Sequence, residues 1–343
     1  MRSRYSGYDK QYKIDTPFNY VLLLGISLFF WLAGYIGSVG YPVQSDASAT
    51  PLWRLVCRIL PDKTITYLVG IWLTVGGAFL IHRANYVLAI IREKTLMPFF
   101  LYILFISSNP GFFPLNSTSP AIFCLILAFY QLFTSYHDSG AVRNSFNSAF
   151  FIGAGSLFWV HILWFLPICW WGMYNFKVLS LRTFLASLTG VGVIYWFLLG
   201  WCVWHLDYTP FTQSFALLPA PGFPLASTLR LTDWIYVLYA AFLVLISIVH
   251  IFLHEHEDSL RTRQYLYFLI LFFIASFCLF LLYQQSSDEF LGIICMPFSI
   301  LLSHFFTVKM GKKMFRLYYV LLFFFIVLSL MRSPWISLLH MVI

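Results

Sequence analysis

Long apolar runs recur along the whole chain, at residues 20–38, 65–81, 121–134, 183–204, 234–252, 265–283, 291–308 and 317–330. A helix needs roughly 20 apolar residues to cross the hydrocarbon of a bilayer, with a range of about 17 to 25. Several of these runs reach that length. With no water to satisfy the backbone, only helices or closed barrels span. The chain shows no alternation at period two that would mark barrel strands. The pattern therefore predicts an all-α polytopic membrane protein.

The polar interruptions carry the next level of organisation. "GYPVQSDASATPLWRLVCRILPDK", residues 40–63, separates the first two apolar runs. Its second half begins at Pro51, a residue that suits a first helical turn, and stops before Pro61. Arg54 and Arg58 stand four apart on one helical face, and Leu52, Val56, Ile59 and Leu60 fall on others. Trp53 suits headgroup depth. The stretch predicts a short helix lying in the membrane interface. The stretch 148–174, "SAFFIGAGSLFWVHILWFLPICWWGMY", is too long for one untilted span, at about 40 Å as a single helix. It predicts two short helices that turn back near Trp159–His161. A second polar connection, 205–232, is proline-rich ("YTPF", "LLPAPGFPLAS") and is placed to cover the rim of the bundle.

Composition supports the membrane reading and charge orients it. The 343 residues are 60% hydrophobic, 21% aromatic and only 10% charged, against about 25% charged in a soluble chain. The net charge of +8 needs no nucleic acid to explain it, because excess Lys and Arg mark cytoplasmic loops. If 148–174 crosses twice and the N-terminus is cytoplasmic, sixteen of the 21 basic residues lie inside and five outside. If it crosses once, the division is ten to eleven. The double crossing predicts about eleven membrane helices, N-terminus in and C-terminus out. Two of them, near 97–108 and 148–160, are short. Residues 1–17 form a cytoplasmic segment and 18–343 one transmembrane domain, with outer loops at 39–64 and 205–232. The first apolar run is too long, and lacks the small-residue site, for a cleaved signal. The six cysteines are scattered through apolar segments and read as small packing residues.

Two resemblances add to this. "LIHRANYVLAIIREKTLMPFFLYILFIS", "NSTSPAIFCLILAFYQLFTSY" and "FNSAFFIGAGSLFWVHILWFLPICWWGMYNFKVLSLRTFLASLTGVGVIYWFLL" together resemble an uncharacterised bacterial family of polytopic inner-membrane proteins, over roughly residues 80–200. That resemblance implies a bacterial inner (cytoplasmic) membrane location with a periplasmic C-terminus, and it carries no activity. The order of elements is similar to the glycosyltransferase type C architecture: first span, outer loop with an acid, interfacial helix, short paired helices, second long outer loop. The likeness implies handling of a lipid-linked sugar or polyprenyl phosphate at the outer face, with a carboxylate soon after the first span. Asp46 holds that place, but "QSDAS" has one acid where the class commonly has two. No cofactor is expected, apart from a divalent metal in the glycosyltransferase case.

In that reading Asp46 takes a proton from the acceptor or holds a metal. Arg54 and Arg58 contact a lipid phosphate, joined at the outer helix ends by His161 and Arg230, and His205 and Asp207 serve the acceptor side. The plainer readings are a solvated turn acid for Asp46, and for the arginines the polar face of a helix among anionic headgroups. Asp233, after Thr232, suits a helix start. "HEHEDSLRTR", residues 254–263, looks metal-binding, yet His254 and His256 point apart on a helix. It reads better as a charged cap in which the acids pair Arg261 and Arg263. His304 sits where it can hydrogen-bond between helices. No Walker loop, dinucleotide fingerprint, Gly-x-Ser-x-Gly or His-Glu-x-x-His occurs, which leaves ATP-driven and zinc-peptidase chemistry unsupported. Three functions stay open: a lipid-linked glycosyltransferase, a non-catalytic lipid-binding subunit with a membrane-protein partner in an envelope-assembly complex, and a transporter, ranked last. The partners expected are membrane lipids, and no nucleic acid.

Overall fold

The structure, a computed structural model, describes residues 14–37, 50–60, 62–109, 112, 115–216, 218, 231–283, 287–307 and 312–332. Among these residues the chain is helical throughout and has no strand: α1 (Pro17–Gly37), α2 (Pro51–Ile59), α3 (Lys63–Leu88), α4 (Met97–Ser107), α5 (Thr118–Thr134), α6 (Val142–Ser156), α7 (Leu166–Asn175), α8 (Leu181–His205), α9 (Thr209–Ala216), α10 (Leu231–Leu253), α11 (Leu260–Leu282), α12 (Ser287–Thr307) and α13 (Lys312–Arg332). Short 3-10 turns lie at Val160–Phe165 and Glu255–Glu257.

Each apolar run is the body of a helix. Among the described residues six helices, α1, α3, α8, α10, α11 and α12, are long and apolar enough to cross a membrane, while α4, α5 and α13 are apolar but shorter. Length and composition thus establish a multi-pass protein with six candidate spans, a coarser statement than the eleven expected. The outside of the bundle agrees with lipid as its solvent: Trp72, Trp196, Phe197 and Trp204 are all strongly exposed. In water such a surface would drive association.

The interior is organised around α12, whose most apolar window is 94% buried. Phe298 of α12 stacks on Phe105 of α4 at 4.2 Å. Beside it, Phe129 and Phe133 of α5 meet Phe268 of α11 edge to face, a geometry that satisfies ring quadrupoles.

The stretch 148–174 folds back on itself, as its length predicted. Ser148 Oγ lies 3.2 Å from Cys169 Sγ. The His137 N–H donates to the Phe176 carbonyl at 3.0 Å, which puts the start of α6 and the end of α7 at the same end of the bundle. The reversal is broader than expected: α6 starts at Val142, not near 148, and the turn expected near Trp159–His161 runs on as a 3-10 turn over Val160–Phe165. Lying along α6, α8 begins with a capping box. Ser180 Oγ accepts from the Thr183 N–H at 3.3 Å, and Thr183 Oγ accepts from the Ser180 N–H at 2.8 Å. Losing such a cap costs about 1 kcal/mol. Ser180→Ala should therefore lower thermal stability in detergent by that amount, and an unchanged melting curve would show that the box contributes nothing.

Hydrogen bonds between helices sort the elements into two ends. At one, Thr262 Oγ donates to the Ala89 carbonyl (3.1 Å), Tyr265 to the Phe133 carbonyl (2.8 Å) and Tyr319 to Asn19 (2.7 Å). At the other, Tyr35 meets Thr64 (3.1 Å), Ser108 meets Tyr236 (3.4 Å), and α2 docks on the turn after α6.

Candidate functional site

The site expected from the sequence lies at the α2 end. Its foundation is α2 itself, which forms from Pro51 and ends before Pro61 as its flanking prolines dictate. The Thr50 hydroxyl does not cap the helix; it donates to the Phe158 carbonyl at 2.6 Å, and the Leu52 N–H donates to the Leu157 carbonyl at 3.2 Å. Two hydrogen bonds thus hold the helix on the bundle. Trp53 differs from expectation: it is only 7% exposed and faces the bundle. Leu55 and Ile59, at 50% and 65% exposed, carry the apolar outer surface instead. The reason is volume, since an indole fills a gap between helices that a leucine would leave partly empty.

Arg54 is half-buried and Arg58 exposed. Arg54 acts on Asp207, which follows the end of α8. The Asp207 carboxyl is held below the usual carboxylate range, first by hydrogen bonds from the Thr209 hydroxyl and N–H, then by the charges of Arg54 and His205. The Thr209 N–H lies 2.9 Å from Oδ1, so Asp207 also opens α9, a helix that the proline-rich sequence did not suggest. Its Phe215 packs on Tyr195 at 5.0 Å. The His205 ring packs tilted against Trp201 at 4.0 Å, with Nδ1 3.0 Å from the Trp201 carbonyl.

His161 is buried among Trp159, Tyr283 and Phe290, at ring separations of 5.1, 4.9 and 6.1 Å. The Tyr283 hydroxyl donates to the Leu218 carbonyl at 2.6 Å and so ties α11 to the segment after α9. The structure therefore brings Arg54, Asp207 and His205 into one electrostatic neighbourhood. It places His161 within the turn whose start holds α2. Asp46 and Arg230 lie outside the described residues, as does the side chain of Asp233. Among the described residues no three His, Cys, Asp or Glu side chains converge as a metal would require.

The opposite end holds a second polar cluster. "HEHEDSLRTR" is a charged cap in which the expected pairing of Arg263 forms and that of Arg261 does not. Glu255 pairs Arg263 at 3.1 Å, but Glu257 pairs Arg92, from the segment between α3 and α4, at 2.7 Å. That hydrogen bond pushes the Arg92 guanidinium up and the Glu257 carboxyl down. Arg261 takes no acid: Nε donates to the Tyr265 hydroxyl at 2.8 Å, and the guanidinium lies 5.5 Å from the rings of both Tyr136 and Tyr265, a cation–π arrangement. The remaining acid, Asp258, turns inward to His304 of α12 at 3.0 Å. His304 does bond between elements, as its position suggested. The sequence groups Asp258 with the cap acids, because its actual partner lies far along the chain; the nearest signal is His250, one turn before His254 on the same face.

The chain matches a family of unknown function, DUF6427, over residues 55–334. The chain belongs to the DUF6427 family. The match contains the stretch 80–200 on which the resemblance to an uncharacterised family rested. Neither a curated protein nor a solved structure matches. For this DUF6427 protein, chemistry must be argued from its own residues. The matched region includes Arg58, His161, His205 and Asp207, together with the buried Asp258 and His304.

Proposed function

We propose that this protein is a multi-pass inner-membrane protein that binds the phosphate of an anionic lipid, a polyprenyl phosphate or its sugar-linked form, on its outer face. The observation that carries the reading is the docked interfacial helix. α2 is fixed to the bundle by two hydrogen bonds, and its Arg54 reaches the surroundings of Asp207 and His205. Arginine on a rigid support offers a phosphate paired donors with little entropy left to lose. Exposed Leu55 and Ile59 on the same helix suit the acyl boundary.

The orientation belongs to the same proposal. About eleven crossings, with α4, α5, α6, α7 and α13 completing the six longer spans, place sixteen of the 21 basic residues on the cytoplasmic side. The fold-back of 148–174 keeps Arg54, Asp207 and His205 on one face, and that face is periplasmic. In the glycosyltransferase type C-like form, Asp46 is the base or metal ligand and His205 and Asp207 attend the acceptor. In the non-catalytic form, the bound lipid and the rim made by α2 and α9 serve a membrane-protein partner in cell-envelope assembly.

The test is native mass spectrometry of the purified protein titrated with a polyprenyl phosphate. One charge-assisted hydrogen bond contributes about 1.5–3 kcal/mol. Arg54→Ala combined with Arg58→Ala should therefore weaken binding at least about tenfold; equal occupancy would refute the site. Asp46→Asn separates the two forms: it abolishes transfer and spares binding in the first, and matches wild type throughout in the second.

A further inference from the structure

At the end of the bundle away from α2, three imidazoles and one carboxylate stand in a row. Asp258 closes the turn between α10 and α11 and is 7% exposed; His304, on the central helix α12, is 2% exposed. His304 Nε2 lies 3.0 Å from Asp258 Oδ2. The His304 ring is 6.2 Å from that of His250, and His250 stacks on His254 at 4.2 Å. His254, Asp258 and His304 line one cleft of about 10 Å³, close to the smallest volume that admits a water molecule.

The hydrogen bonding is incomplete in an informative way. An ionised carboxylate only accepts, so Nε2 of His304 carries the proton that faces Asp258. The Nδ1 atoms of His304 and His250 are then buried with no hydrogen bond inside the protein. Burying a carboxylate costs several kcal/mol unless a cation stands beside it. Among the described residues, the surrounding charges do not supply that cation outright. Arg92 is paired with Glu257 and Arg263 with Glu255; Arg261 lies against Tyr136 and Tyr265. Glu93 lines the cleft and adds negative potential, while His256 stands on the exposed turn.

We propose that His304 is a proton-binding site, with Asp258 as its counter-ion and His250 and His254 as the route from the surface. A hydronium ion gives its proton to His254 and leaves as water, and the proton passes by way of His250 to Nδ1 of His304. The imidazolium that results carries one positive charge against the one negative charge of Asp258. Because Asp258 belongs to the α10–α11 turn and His304 to α12, the bound proton fastens that turn to the central helix. The site is independent of lipid binding at the other face.

The experiment is a pH series on the full chain in lipid nanodiscs, read by NMR. Ser303–His304 is the single Ser–His step in the sequence, so ¹³C-serine with ¹⁵N-histidine labelling assigns His304 without any variant. The expected result is a His304 signal that moves between two limits as the pH is lowered through the series. Asp258→Asn should move that transition to at least tenfold higher proton concentration, while Glu257→Gln leaves it in place. A His304 signal fixed across the whole range would overturn the proposal and leave a permanent structural pair. So would an Asp258→Asn protein that titrates as the wild type does. If Asp258→Asn does not fold, His250→Gln gives the second reading: it should slow proton exchange at His304, and unchanged exchange would remove His250 from the route.

Discussion

Gly190→Leu should be among the most damaging single substitutions in this protein, at about 3 kcal/mol, the upper end of overpacking costs. A Cβ at Gly190 would lie 2.5 Å from the Phe146 carbonyl oxygen and 3.0 Å from the Phe150 nitrogen. Both are backbone atoms of α6, so no side-chain rotation relieves the clash and the two helices must part. Apolar burial gives helices little reason to associate within lipid, and close backbone approach at small residues takes its place. At Gly192, on the same helix, a Cβ would have nothing within 4 Å, and Gly192→Leu should melt as wild type does or slightly higher. Thermal unfolding in one detergent compares the two. Equal melting temperatures for both variants would show that the α6–α8 contact does not hold the fold.

The second large effect is expected at the buried pair. Asp258→Leu and His304→Leu should each cost about 3–5 kcal/mol, because each leaves its former partner buried without a counterpart. The double replacement should cost far less than the two together, about 1–2 kcal/mol, since a leucine pair leaves no polar group to satisfy. The readout is denaturant unfolding of all four proteins in micelles. Additive losses would mean that the 3.0 Å contact contributes no coupling. The exposed Arg92–Glu257 pair, at 45% and 50% side-chain exposure, should behave differently: Glu257→Gln should fall within about 1 kcal/mol of wild type, as solvated ion pairs do.

The contrast between these two pairs shows where reading the sequence stops. Both involve acids of one ten-residue motif, and composition alone assigns them the same role as a solvated cap. One acid is solvated and meets Arg92 across the surface. Its immediate neighbour in sequence turns into the bundle and meets a histidine on the most buried helix. Arg54 and Asp207 make the same point at the other end. The sequence places both on the outer face, but that Arg54 helps hold Asp207 ionised depends on α2 docking at Leu157 and Phe158.

The sequence by itself determined that this is a helical, multi-pass protein, where its long apolar helices lie, and that 148–174 reverses. Those properties follow from hydropathy, length and the placement of basic residues, which act locally because a bilayer imposes the same demand on every segment it contains. Tertiary structure alone decided which way Trp53 faces, that α9 exists as a helix on Tyr195, that Glu257 pairs Arg92, and that Asp258 meets His304. These depend on which helix faces meet. Helix faces meet where small residues such as Gly190 let backbones touch and where side-chain volumes fit, a joint property of distant segments that no single stretch contains.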